Sequence, residues 1–169
     1  MRRGVRLGVD VGTVRVGIAR SDADGILATP VRTLARSGAL GYPDENDADI
    51  AEVADLVQEL DVIEVVIGLP RTLAGREGAA ALQVRQYAGV LTRCIAPVPV
   101  RLVDERLSTV DAHRALRESG VAGRRTRAIV DQMAAVIILQ SALDEERSSG
   151  RPPGGPVGGR KPRTKDGNR

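Results

Sequence analysis

The sequence predicts one α/β domain on a mixed sheet, three antiparallel strands continued by two parallel strands and flanked by helices. Three observations carry this expectation. The first 34 residues hold three apolar, β-branched runs separated only by short turn segments. From residue 47 onward, helical and strand periodicities alternate, and strand–helix–strand order implies parallel pairing through crossovers. At 169 residues, 42% hydrophobic and 28% charged, the chain is about one domain's worth and too short for two enzymatic lobes of ordinary size.

The elements follow in order. Val5 to Asp10 and Val14 to Ser21 are strand runs joined by a tight hairpin at Val11, Gly12 and Thr13. Ile26 to Leu34, after the turn Asp22-Ala23-Asp24-Gly25, completes a meander. Asp47 to Leu60 places Ile50, Val53, Ala54, Val57 and Leu60 on one face and Asp49, Glu52, Asp55 and Glu59 on the other, the 3.6-residue period of an amphipathic helix. Val62 to Gly68 reads as a buried strand, Ala79 to Leu91 as a helix and Val98 to Val103 as the next strand. A further helix is expected from Ser108, whose hydroxyl can cap it with Asp111 three residues on, to near Gly120. The last helix runs from about Arg127 to Glu146.

Composition excludes several classes. No apolar run approaches the roughly 20 residues of a transmembrane helix, and Met1-Arg2-Arg3-Gly4 leads straight into a strand without the pattern of a secretory signal. A cytoplasmic protein is expected, with no membrane partner. Cys94 is the single cysteine, so neither an internal disulfide nor a cysteine-based zinc scaffold is available. An intermolecular Cys94 disulfide stays conceivable, as does a homodimer, which would match a two-fold substrate.

The net charge of +3 hides an asymmetry. Residues 22–64 carry eleven acids and two arginines, residues 71–127 five acids and eleven arginines. Residues 147–169 hold seven basic side chains, one acid, six glycines and four prolines. With almost nothing apolar to bury, that stretch is expected to be a disordered basic tail, leaving the domain at 1–146. A basic flank attracts phosphate polymers, and solvated surface arginines are the plainer reading of the same composition.

Three acids stand where acids are unusual. Asp10 interrupts an apolar strand, where a carboxylate is costly unless paired, hydrogen-bonded or metal-bound; capping the next turn is the alternative. Asp104 and Glu105 follow a strand at the edge where ligands of open α/β sheets gather. Neighbouring side chains on a strand point oppositely, so one of the two faces the crevice, taken here as Glu105, while the other is free to make a salt bridge. Asp131 precedes Ala134, Ala135 and an all-round apolar run, so its helix is buried against the sheet; a first-turn acid complementing the helix dipole is the other reading. Three converging carboxylates without basic partners repel one another unless divalent cations compensate. Oxygen-only ligands select Mg²⁺ or Mn²⁺, and two such ions about 4 Å apart suit phosphodiester hydrolysis. His113 is then not needed as a base. The loop Gly68 to Gly78 opens a helix whose free amides suit phosphate, and Arg71 and Arg76 lie in it. With two tyrosines and no Phe or Trp, stacking on aromatics is a poor option, which leaves backbone and shape recognition. Contacts to nucleic acid are expected from Arg15, Arg71, Arg76, Arg106, Arg124, Arg125 and Arg127.

Gly8-Val9-Asp10-Val11-Gly12-Thr13 with Arg15, Gly17 and Ala19, then Gly68-Leu69-Pro70 with Gly75, then Asp104-Glu105-Arg106-Leu107-Ser108-Thr109, then Asp131 with Ala134, Ala135, Ile138 and Leu139, resembles the YqgF family. The resemblance spans about residues 4–146, and the Asp-Glu-Arg-Leu-Ser-Thr block is its most specific part. It implies an RNase H-like fold and a metal-dependent endonuclease acting on structured nucleic acid, either Holliday junctions or the 5′ end of precursor 16S ribosomal RNA. It also implies Asp10, Glu105 and Asp131 as metal-binding, catalytic acids. Val14 departs from the family's usual lysine. Asp10-Val11-Gly12-Thr13 also resembles the first phosphate loop of the actin, Hsp70 and sugar-kinase group, but those close ATP between two lobes. The stronger rival is a non-catalytic nucleic-acid-binding or ribosome-assembly module with the same fold.

Overall fold

The structure is a computed structural model. It describes residues 1–38, 42–72, 74–105 and 124–158, with the backbone alone described for 124–128. Strands β1 (Val5–Val11), β2 (Arg15–Ser21) and β3 (Ala28–Ala35) form the expected antiparallel meander. Helix α1 (Ala48–Glu59) leads to β4 (Val62–Pro70), α2 (Ala79–Cys94) to β5 (Val100–Glu105), and α3 (Arg124–Ser149) to a two-residue β6 (Gly155–Pro156). The sheet order is β3-β2-β1-β4-β5-β6, with β1–β4 and β4–β5 parallel. The crossover helices α1 and α2 make that parallel half possible, because a parallel neighbour cannot be reached by a tight turn.

Strand alternation divides the core into two layers. Leu7, Val9, Val11, Val16, Ile18, Val65, Ile67 and Leu69 pack with Ile50, Val53 and Val57 of α1 and Val84, Tyr87 and Leu91 of α2. The opposite face sends Ala19, Ala28, Val66 and Val103 against Ala135, Ile138, Leu139, Ala142 and Leu143 of α3. Glycines set how close α3 comes. A Cβ on Gly8 would stand 2.6 Å from Leu139 Cβ and 2.9 Å from the Ala135 carbonyl. The helix backbone therefore rests on β1 itself, closer than any side chain would allow.

Helix α3 runs antiparallel to β1. Its far end closes a buried ion network. Arg2 donates to both Glu64 and Glu146, and Arg6, itself buried, donates to Glu146 and to the carbonyls of Arg2 and Gly4. Burial pushes the Glu146 carboxyl up, but hydrogen bonds from the Arg2 side chain and backbone and the charge of Arg6 outweigh it and bring it down to about 2.

Two expectations change. The last helix begins at Arg124, three residues early, and continues through Ser149. The domain boundary expected at residue 146 also moves, because residues 150–158 are not a free tail: β6 pairs antiparallel with Arg101 and Leu102 of β5. Val157 N–H donates to the Val100 carbonyl, and the Arg101 guanidinium donates to the carbonyls of Pro153 and Gly154. Gly154, at φ +55°, lets this strap lie against β5, where a Cβ would stand 2.1 Å from the Leu102 carbonyl oxygen. Arg106, the helix expected from Ser108 to Gly120 with His113, and the tail beyond Gly158 lie outside the described residues.

Candidate active site

Asp10, Glu105 and Asp131 come from β1, β5 and α3, and all three are buried, at 0%, 3% and 1% exposure. Alternation explains why they share a face. Leu7, Val9 and Val11 point into the α1/α2 layer, so Gly8 and Asp10 point toward α3; Leu102 packs with the α1/α2 layer and Val103 under α3, so Glu105 follows Val103 to the α3 side. Asp104 points the other way, is exposed, and pairs with Arg71 at 2.9 Å. The facing expected for these two neighbours therefore holds, and the salt-bridge partner of the outward one is Arg71.

Two glycines bring the acids to Asp10 from either side. On β2, Gly17 is the partner of Asp10, and a Cβ there would stand 2.2 Å from the Asp131 carbonyl oxygen. Asp131 thus sits directly over the strand beside Asp10. On β4, Ile67 is the partner of Val9, which puts Gly68 next along the same face as Asp10. A Cβ on Gly68 would stand 2.2 Å from Glu105 Oε1, so the Glu105 carboxylate reaches across the space above Gly68 toward β1. The cradle is made by the missing side chains.

The acids are not without basic partners, contrary to the expectation from sequence. Arg15 Nε donates to Asp131 Oδ2 at 2.7 Å. Among the described residues no three acidic, histidine or cysteine side chains already stand close enough together to hold a metal ion. The donor set is nonetheless oxygen-only and held on one face, which fits hard divalent cations rather than zinc or copper.

A cavity of about 470 Å³ opens between β5, α3 and the C-terminal strap, with Glu105 in its wall beside Ile138, Ser141 and Ala142. It lies in the volume range of ligand pockets. At its rim the loop expected to meet phosphate is already engaged. Arg71 bridges Asp104 and Glu77, and Arg85 also pairs with Glu77, whose carboxyl these guanidiniums hold below its usual range. Arg76 is exposed and among the described residues makes no ion pair. The side chains of Arg124, Arg125 and Arg127 lie outside the described ones.

Arg36 was not anticipated. It follows β3, donates to the Gly12 carbonyl at 2.8 Å and lies 5.8 Å from the Tyr87 ring centroid, while its own N–H bonds the Val14 carbonyl. It ties the turn after Asp10 to the α2 side of the core. An arginine just past an apolar strand gives no local sign of this.

The chain matches the model of the RuvX family, described as "Holliday junction resolvase", over residues 4–145. It is 54% identical to the "Putative pre-16S rRNA nuclease" of Streptomyces coelicolor over 91% of this chain and 88% of that one. It is 51% identical to the protein of the same name from a Nocardioides strain, over 91% and 96% of the two chains. Among solved structures, Thermus thermophilus RuvC in complex with a Holliday junction substrate superposes with a TM-score of 0.54 at 16% identity, covering 91% of this chain and 99% of that one. This likeness shows an RNase H-like fold.

Proposed function

Because this chain belongs to the RuvX (YqgF) family, a family of nucleases, we propose that it hydrolyses phosphodiester bonds in structured nucleic acid at Asp10, Glu105 and Asp131 with divalent Mg²⁺ or Mn²⁺. The observation that carries this reading is the glycine cradle. Gly17 and Gly68 flank Asp10 on both neighbouring strands and admit the Asp131 backbone and the Glu105 carboxylate on the same face, so three buried acids share one side of the sheet, an arrangement that stability alone does not favour. Divalent ions at such a site supply activation of a water and stabilisation of the leaving oxygen.

The chain's own residues supply position. Asp10, paired with Gly17 near the end of β1 and fully buried, is the fixed member. Glu105 ends β5 in the wall of the cavity, the side from which a phosphodiester would approach. Arg76, exposed in the loop before α2, is the proposed contact to a backbone phosphate, and Arg15, Arg106, Arg124, Arg125 and Arg127 extend the basic side of the reading. Arg71, already held between Asp104 and Glu77, orders the loop more than it binds.

The substrate favoured is precursor 16S ribosomal RNA, on the names of relatives more than half identical along most of both chains. A four-way DNA junction is the second reading, favoured by the family model's description. Purified protein with Mn²⁺ is offered both substrates side by side. Cleavage of the RNA precursor with slower or no junction cleavage supports the first reading, and the reverse supports the second. Tight binding of either without cleavage would support the non-catalytic module.

A further inference from the structure

Asp131 is almost fully buried, yet its carboxylate is held by a cation from its own chain. Arg15 Nε lies 2.7 Å from Oδ2, and the Arg15 side chain is 27% exposed. Such a pair explains how a carboxylate survives burial without a metal, since an uncompensated buried charge is strongly unfavourable. It also conflicts with metal binding. One oxygen of the carboxylate that would help to hold a divalent ion is accepting a charge-assisted hydrogen bond, and a guanidinium beside a doubly charged cation would be repelled.

Resting on the reading of Asp131 as part of the metal-binding set, we propose that Arg15 is an exchangeable internal counter-ion. It holds Asp131 in place over Gly17 in the metal-free enzyme and yields its place to the divalent ion. The local structure allows the exchange. Arg15 is the first residue of β2, directly after the turn closed by the Gly12 N–H to the Arg15 carbonyl. Its backbone is fixed by that bond and by pairing with Ala35, while its partly exposed side chain has solvent to swing into. Asp131 cannot follow, because its backbone is wedged on Gly17. The acid stays and the cation leaves. Arg15 is in this account a positioning residue that lowers metal affinity in exchange for keeping the empty site ordered.

The sign of the effect separates this role from an ordinary structural one. A purely structural arginine would, on removal, disorder Asp131 and weaken metal binding. A competing one strengthens it. Mn²⁺ binding is measured calorimetrically on metal-stripped wild type, Arg15→Gln, Arg15→Lys and Asp10→Asn, with melting temperatures taken with and without Mn²⁺. Arg15→Gln is expected to bind Mn²⁺ about tenfold more tightly than wild type, melt lower without metal and gain more on adding it. Arg15→Lys, which keeps the charge but loses the planar fork, falls between the two. Equal or weaker Mn²⁺ binding by Arg15→Gln, while wild-type binding still depends on Asp10, overturns the counter-ion and leaves the site intact. Should Arg15→Gln fail to fold, Arg15→Lys at or below wild-type affinity overturns it equally. No Mn²⁺ binding by either wild type or Arg15→Gln, or binding indifferent to Asp10→Asn, removes the metal site and the counter-ion with it.

Discussion

Gly17→Ala tests whether the close approach of α3 to β2 is what delivers Asp131. The new Cβ would stand 2.2 Å from the Asp131 carbonyl oxygen and 2.7 Å from its carbonyl carbon. Both are backbone atoms of a helix packed along β1, β2 and β4, so no rotamer change relieves the clash. The two backbones have to separate by roughly 0.8 Å to reach the shortest distance real Cβ atoms show. Overpacking of this kind costs about 2 kcal/mol, which for a chain of this length lowers the melting temperature by roughly 4–8 °C. Displacing a reacting group by about 1 Å costs on the order of 100-fold in rate, so turnover should fall far more than the modest stability loss accounts for at assay temperature. Gly89→Ala is the control. It lies in α2 with nothing within 4 Å of its would-be Cβ, and alanine there should stabilise by about 0.5–1 kcal/mol. Denaturant melts give the two stabilities and single-turnover cleavage gives the rates. Wild-type stability and rate in Gly17→Ala would refute the idea that glycine at this position seats the helix.

Three further outcomes follow from other parts of the molecule. Glu105→Ala should abolish cleavage while Asp104→Ala, which removes an exposed partner of Arg71 but leaves its pair with Glu77, retains most of it; comparison at saturating Mn²⁺ decides, and a dead Asp104→Ala would invert the assigned facing. Glu146 has its carboxyl held at about 2 in the folded protein against an ordinary value of 4.5. The folded state therefore gains from its ionisation fully above about pH 5 and loses that gain as pH falls from there toward 2. Glu146→Gln should cost about 2 kcal/mol at neutral pH and progressively less in acid, as read from urea melts at a series of pH values; a difference independent of pH would contradict the network. Truncation after Gly158 removes Arg160, Lys161, Arg163, Lys165 and Arg169 but spares the strap on β5. It should flatten the salt dependence of duplex DNA binding by about 0.9 in log-log slope for each phosphate these side chains neutralise without changing turnover at saturation, and an unaltered slope would show that they touch no phosphate.

The parts legible in the sequence were those set by local pattern. Period-two alternation places Glu105 inward and Asp104 outward, and an acid inside Leu7–Val11 marks Asp10, because a strand's faces depend only on parity. The meander and the crossovers follow from run lengths and turns. What was not legible depended on residues far apart in the chain. Arg15 and Asp131 are 116 positions apart, so their pairing needs the register of α3 on β2, which no spacing encodes. Gly17 and Gly68 stand out as glycines in strands, but what fills the space above them depends on the same register. The strap was missed because β6 has two residues, glycine and proline, with no apolar alternation. It is held by the Arg101 guanidinium and backbone bonds, so a rule that equates low hydrophobicity with disorder fails there.

The central claim is that Asp10 anchors a divalent-metal site for phosphodiester hydrolysis, and Asp10→Asn addresses it most directly. The substitution removes one charge and one ligand oxygen without changing shape at a fully buried position. Single-turnover cleavage of a precursor 16S ribosomal RNA fragment with Mn²⁺, alongside equilibrium binding of the same fragment, is the measurement. The account predicts no detectable cleavage by Asp10→Asn with binding equal to or tighter than wild type. Cleavage at the wild-type rate by a homogeneous Asp10→Asn sample would contradict it.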